Sequence, residues 1–176
     1  QKVATPFFDV YIISLESTHF HKYWHDIPSN SELIQTLNKQ PGWQPSVMWK
    51  LVKILKKIKP IYVHTHHIGP LIYGGIAAKL ANIENVIHTE HDAWHLSDKK
   101  RKMLQYFALK LIKPVFVADA SFVAEQVRAL MPNIDPIVIT NGVDIDKFKP
   151  SLLDKKLLIK DANLPTNMRF VGCAAR

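Results

Sequence analysis

The sequence predicts a mostly parallel, doubly wound α/β sheet, and three observations carry that prediction. Short apolar runs rich in β-branched residues alternate with segments of helical period. The links between them are short, as strand–helix–strand crossovers require. Proline, glycine, serine or asparagine stands at most of the joins.

"FDVYIISL" over 8–15 reads as a buried strand. Residues 16–32 are polar, carry histidines and include Pro28, which marks a loop. A short, weak strand is expected at 33–37, closed by Pro41-Gly42. Ser46 is placed to cap a helix over 46–59, which Pro60 stops. There Val47, Leu51, Ile54 and Ile58 repeat at helical spacing, with Lys50, Lys53 and Lys57 on another face. "IYVHTH" (61–66) is the next strand, followed by the small-residue helix "GPLIYGGIAAKLA" (69–81) and the strand "NVIHTE" (85–90). A basic helix over 97–113 and the strand "PVFVAD" (114–119) come next. Ser121 is read as the cap of a helix over 121–131, and "PIVITNG" (136–142) as the last strand. The tail reads as a charged link that ends in the opening of a further apolar strand, "RFVGCAA".

Composition narrows the classes of function. With 47% hydrophobic and 22% charged residues in a chain of 176, one domain with a real core is expected. No apolar run approaches the roughly 20 residues that span a bilayer. Cys173 is the single cysteine, which excludes an internal disulfide and a thiolate zinc site and makes a reducing compartment the default. A net charge of +8 favours a nucleic acid, an anionic membrane or a phosphorylated ligand as partner, against a merely solvated basic surface.

Two histidine clusters fall at strand C-terminal ends, where open α/β sheets hold their ligands. His64, His66 and His67 follow one strand; His88, Glu90, His91 and Asp92 follow the next. Alternation puts His64 and His66 on one face with Thr65 opposite, and His88 with Glu90 opposite Thr89 and His91. A metal-dependent hydrolase would use these imidazoles and carboxylates as ligands. Yet Ile68, Gly69 and Pro70 stand where the aspartate of a binuclear motif belongs, and "HTEHD" is not a helical HExxH pattern. The plainer alternative is that each histidine only bonds neighbouring backbone. Gly74-Gly75 reads as packing, and the tryptophans Trp24, Trp43, Trp49 and Trp94 as core or loop anchors, with Trp94 also able to stack on a sugar.

Taken together, "KPIYVHTHHIGPLIYGGIAAKLANIENVIHTEHDAW", "VFVADASFVAEQV" and "PIVITNGVDIDKFKP" resemble the N-terminal domain of family 4 glycosyltransferases. The resemblance covers about residues 34–172, and "NGVD" with Phe148 and Pro150 is its most specific element. It implies the two-domain glycosyltransferase B fold. Residues 1–150 would be the acceptor-side Rossmann-like domain, and 151–176 the linker and start of a donor-binding domain. The family's opening strand, glycine-rich loop and helix have no counterpart here. A sheet without that unit is expected to expose an edge next to the fourth strand.

The function implied by the resemblance is transfer of a sugar, with retention, from a nucleotide-sugar to a carbohydrate or lipid-linked acceptor in cell-envelope polysaccharide or glycolipid synthesis. By the same resemblance His91 is the catalytic candidate, with His66, Glu90, Asp92, Asn141 and Gly142 as substrate-binding residues. No cofactor and no metal are implied, the nucleotide-sugar being a substrate, and this stretch alone would be inactive. The lysine-rich helices would dock on an anionic membrane, which places the protein in the cytoplasm, peripheral at the inner membrane face. A non-catalytic nucleic-acid-binding module is the remaining alternative. It would need aromatics interleaved with the lysines, whereas here the charge sits on two amphipathic helices, so no nucleic-acid partner is expected.

Overall fold

A computed structural model describes residues 9–16, 34–146, 149 and 152–161. The chain separates into two compact units, Gln1–Thr140 and Asn141–Arg176. The first unit is the expected parallel α/β fold. Strands β1 (Ile12–Ser14) and β2 (Ile34–Thr36) form a small parallel sheet. Strands β3 (Val63–His66), β4 (Val86–Glu90), β5 (Val115–Ala118) and β6 (Ile137–Val138) form a second, all-parallel sheet in that order. Among the described residues no ladder joins β1 to β3.

Helix α1 (Pro45–Ile58) links the two sheets. Ser46 is not its cap. Gln44 occupies that position in extended conformation and Pro45 opens the helix, where its missing N–H costs nothing. The helix buries Val47, Met48, Leu51, Val52 and Leu55 and ends at Lys59, whose φ of 51° turns the chain ahead of Pro60.

Between β3 and β4 a helical stretch, α2, runs over 68–80 in three pieces. An α turn (Ile68–Pro70) passes into a π turn (Leu71–Gly75) and back to α (Ile76–Leu80). The π turn holds the glycine pair. A Cβ on Gly75 would come 2.5 Å from Ile112 Cδ1, so this glycine lets α2 approach the next helix.

That helix, α3 (Lys99–Ile112), begins with four cations, which its dipole disfavours. Asp98 offsets them: its Oδ1 accepts the Arg101 N–H at 2.8 Å as an N-cap. Helix α4 (Ser121–Leu130) starts at Ser121 as expected, but its cap is Ala120, so Ser121 is already helical and no side chain caps the helix. It buries Val123, Ala124 and Val127.

Two further expectations are corrected. Of the reading of the tryptophans as core or loop anchors, the core half is corrected: Trp43, Trp49 and Trp94 are exposed, and Trp43, in a loop, leans on Tyr73 with ring centroids 5.1 Å apart; Trp24 lies outside the described residues. In the second unit a helix, α5 (Leu152–Asp161), stands where only a charged link was expected. Phe148, Pro150 and the "RFVGCAA" run lie outside the described residues.

Candidate functional site

Parallel pairing brings the C-terminal ends of β3, β4 and β5 to one edge of the sheet. His66 pairs in register with Thr89, and Thr89 with Val117. One step past β4 stands His91; one step past β5 stands Asp119.

On one face, three side chains form a chain of short hydrogen bonds. His91 Nδ1 lies 2.8 Å from Asp119 Oδ2, and His91 Nε2 lies 2.8 Å from His66 Nδ1. An ionised carboxylate only accepts, so this bonding assigns the proton at that contact to His91 Nδ1. For neutral His91, Nε2 is then an acceptor and His66 Nδ1 donates to it. The outer Nε2 of His66 keeps a lone pair. If His91 takes up a second proton, the shared bond reverses and His66 presents an N–H instead. The geometry therefore couples a carboxylate, through two imidazoles, to one outward ring nitrogen.

Burial, and after it crowding, favours the neutral form of His66 and His64. His66 is lowered from the usual 6.5 to about 4, first by burial and then by neighbouring His64, His91, His67 and His88. His64 is also lowered, by burial first and then by His88 and His91. Its Nε2 pairs with Thr89 Oγ1 at 2.8 Å, and its ring sits 4.2 Å from that of His66.

The opposite face is closed over. The Thr65 hydroxyl donates to Ile87 O at 3.3 Å and accepts from His88 Nδ1 at 3.0 Å. Glu90 is fully buried, and its Oε2 accepts from Gln105 Nε2 of α3 at 2.7 Å. Gln105 Oε1 in turn accepts from His95 Nε2 at 2.7 Å, and His95 Nδ1 lies 3.4 Å from Asp92 Oδ1. This network ties α3 and the turn at Trp94–Ser97 to β4. His88 Nε2 and Glu90 Oε1 are buried without a hydrogen-bond partner among the described residues.

Between the faces sits His67, at φ 64° and ψ 165°. Side chains other than glycine rarely occupy that region, and such strain gathers at functional sites. Its Nδ1 is 3.9 Å from Glu90 Oε1 and its ring centroid 5.0 Å from that of His91.

Of the residues singled out from sequence, the structure brings His66 and His91 together directly. Glu90 faces away from them, buried under α3, and Asp92 is half-buried beside His95. Asn141 and Gly142 are exposed at the start of the second unit. Sequence reasoning missed Asp119, although its place just past β5 follows the same strand-end rule; it also missed the strain at His67 and the role of Gln105. Among the described residues no three His, Cys, Asp or Glu side chains converge as a metal cage.

The family model described as "Glycosyltransferase Family 4" matches residues 7–147. The chain is also similar to an Escherichia coli protein, UDP-Gal:alpha-D-GlcNAc-diphosphoundecaprenol alpha-1,3-galactosyltransferase, at 35% identity over 126 residues. The match covers 66% of this chain and 32% of that protein, so the chain spans about a third of its relative's length.

Proposed function

Because the chain belongs to glycosyltransferase family 4, we propose that it forms the acceptor side of the cleft in an enzyme that transfers a sugar from a nucleotide-sugar. The observation that carries this reading is the Asp119–His91–His66 chain at the C-terminal ends of adjoining parallel strands. The anomeric configuration is retained. The outer nitrogen of His66 holds a sugar hydroxyl, accepting or donating as the transfer requires, while His91 sets its proton and Asp119 sets the orientation of His91. Glu90 and Asp92 act on substrate through the positions of His67 and His95 rather than by contact. Asn141 and Gly142 serve the turn next to the interdomain linker.

The relative's name points to the substrates to try first: a UDP-hexose as donor and a polyprenyl-diphosphate-linked sugar as acceptor. Such an acceptor suits cell-envelope polysaccharide or glycolipid synthesis at the inner face of the membrane. The exposed lysines of α1 and the basic, apolar outer face of α3 would hold the enzyme there. Among the described residues no helix is long and apolar enough to cross a membrane.

The test is turnover by the full-length enzyme with labelled UDP-galactose and a polyprenyl-diphosphate-linked N-acetylglucosamine. A labelled, α-linked lipid product is expected without added metal. Residues 1–176 alone should give none, since the resemblance assigns the nucleotide-sugar to a second domain. Failure with a panel of nucleotide-sugars, or turnover that depends on stoichiometric zinc, would overturn the reading.

A further inference from the structure

Trp43 is 60% exposed, yet the loop that carries it is held from several sides. The loop runs from Leu37 to Gln44, between β2 and α1. Lys39 N–H donates to Leu15 O at 2.7 Å, and Gln40 N–H donates to Gln44 Oε1 at 3.3 Å. Asn38 at φ 52° and Gly42 at φ 92° turn the chain through the left-handed region. Tyr73 of α2 grips the loop from below. Its hydroxyl accepts from Gln44 N–H at 2.7 Å and donates to Gly42 O at 3.5 Å, one bond on each side of Trp43. Tyr73 is buried and belongs to the π turn, a helix irregularity that is frequent at functional sites.

The Trp43 ring leans on the Tyr73 ring at a tilt of 38°, and the rest of it faces solvent. Its surroundings are polar. Lys39 Nζ lies 5.5 Å from the centre of the same tyrosine ring, and the side chains of Asn38 and Gln40 are exposed. An indole is one of the largest apolar surfaces a chain can bury, and this loop fixes it outside the core.

We propose that Trp43 is a stacking platform for a pyranose ring, a subsite for a sugar of the acceptor. A pyranose has an apolar face of C–H groups with hydroxyls around its rim. The face suits the open side of the indole, and the hydroxyls suit the amides of Asn38 and Gln40 and the ammonium of Lys39. A bilayer suits the loop less well, because insertion would strip water from those amides, the ammonium and the loop backbone. The position fits an acceptor. Helix α2 starts just past His67, and at about 1.5 Å per residue Tyr73 stands about 9 Å along it, a span that a short glycan covers. A stack at that distance from the reacting hydroxyl is made equally before and during transfer, so it acts on KM and leaves kcat alone. That the sugar belongs to the acceptor rests on the transferase reading; that Trp43 binds a sugar does not.

The test uses the full-length protein in two arms. The first is ligand-observed saturation-transfer NMR with the methyl glycosides of N-acetylglucosamine, glucose, galactose and mannose, which needs no turnover. At least one should give a signal that Trp43→Ala abolishes and that Trp49→Ala, at another exposed tryptophan, leaves intact. In the unaltered protein the same glycoside should shift the Trp43 indole N–H resonance, a readout that needs no variant to fold. The second arm measures turnover with polyprenyl-diphosphate-linked acceptors of one, two and three sugars. Trp43→Ala should raise KM about fivefold or more for the acceptors long enough to reach the platform, with kcat and the donor KM unchanged, and Trp43→Phe should restore most of the loss. Absence of turnover counts against the transferase reading and leaves the first arm to decide this one. No glycoside signal, or a signal that survives Trp43→Ala, would overturn the proposal. Loss of vesicle binding in that variant with its glycoside signal intact would make Trp43 a membrane contact instead. A lower melting temperature and kcat with the signal intact would make it a mere cover for Tyr73.

Discussion

His91 donates from Nδ1 to Oδ2 of Asp119 across 2.8 Å. That contact makes the imidazole a fixed part of the sheet edge rather than a mobile strand-end side chain. Since His91 Nε2 is taken by His66 at 2.8 Å, both ring nitrogens work inside the protein. The first prediction follows. In the full-length enzyme, His91→Ala should lower kcat about a hundredfold, the scale of a lost acid–base group. Asp119→Asn should lower it comparably and shift the pH–rate profile, which a purely structural role would leave in place. The double variant should be little worse than either single one, because the residues act as a unit. Wild-type kcat in both single variants would remove the chain from the mechanism.

Acid stability gives a second prediction. His66 in the folded protein is lowered from 6.5 to about 4, so between those values the unfolded chain binds the extra proton and the folded chain does not. Stability therefore falls as pH drops from about 6.5 towards 4, and His64, also lowered, adds in the same direction. Denaturant unfolding at a series of pH values should show this slope, and His66→Gln should flatten it. An unchanged slope in that variant would mean that other groups set the acid limb.

The third prediction separates strain from packing at His67. Its φ of 64° with ψ of 165° suits glycine, and holding a larger residue there costs on the order of 1–3 kcal/mol. His67→Ala keeps the backbone penalty; His67→Gly removes it. The glycine variant should thus be more stable than the alanine variant by about 1 kcal/mol, less than the full strain because glycine also gains freedom when unfolded. Both should lose turnover if the ring helps shape the site. A glycine variant less stable than the alanine one would show that the backbone is relaxed as it stands.

The parts legible in the sequence were those set by period and position. Alternation placed His64 and His66 on one face and His88 with Glu90 on the other, because the side-chain period of a strand is fixed at two. Caps were less legible: Ser46 and Ser121 have the right chemistry, but Pro45 and Ala120 set where the helices begin. Asp119 was hidden because a lone aspartate in "VADAS" declares no partner, and its partner comes from a strand 28 residues away. Glu90 shows how a helix partner escapes sequence reading. It shares the strand-end position of a ligand residue, yet Gln105, on a helix read only for its charge, claims it for the core.

The last prediction concerns the outer face of α3. Met103, Leu104, Phe107 and Leu111 are each at least half exposed and recur at three- and four-residue steps, the spacing of one helical stripe. Gln105, Ala108, Leu109 and Ile112 bury the opposite side, so the exposed stripe is not needed to hold α3 on the sheet. Lys99, Lys100 and Arg101 open the same helix, and α1 exposes Lys50, Lys53, Lys56 and Lys57. Both helices pack on α2. An apolar stripe beside cations matches a helix lying in the headgroup region of an anionic bilayer. Each cation near such a surface contributes about 1 kcal/mol, so several give reversible docking without an anchor. The protein should co-sediment with vesicles containing phosphatidylglycerol at low salt and release at high salt. Charge reversal at Lys50, Lys53 and Lys57 should weaken binding through the salt-sensitive part. Leu104→Asp with Phe107→Asp should weaken it through the part that salt leaves behind, and neither change should alter the melting temperature much, since all five side chains are exposed. No binding at low salt, or binding untouched by either set of changes, would leave the basic surface with solubility as its only role.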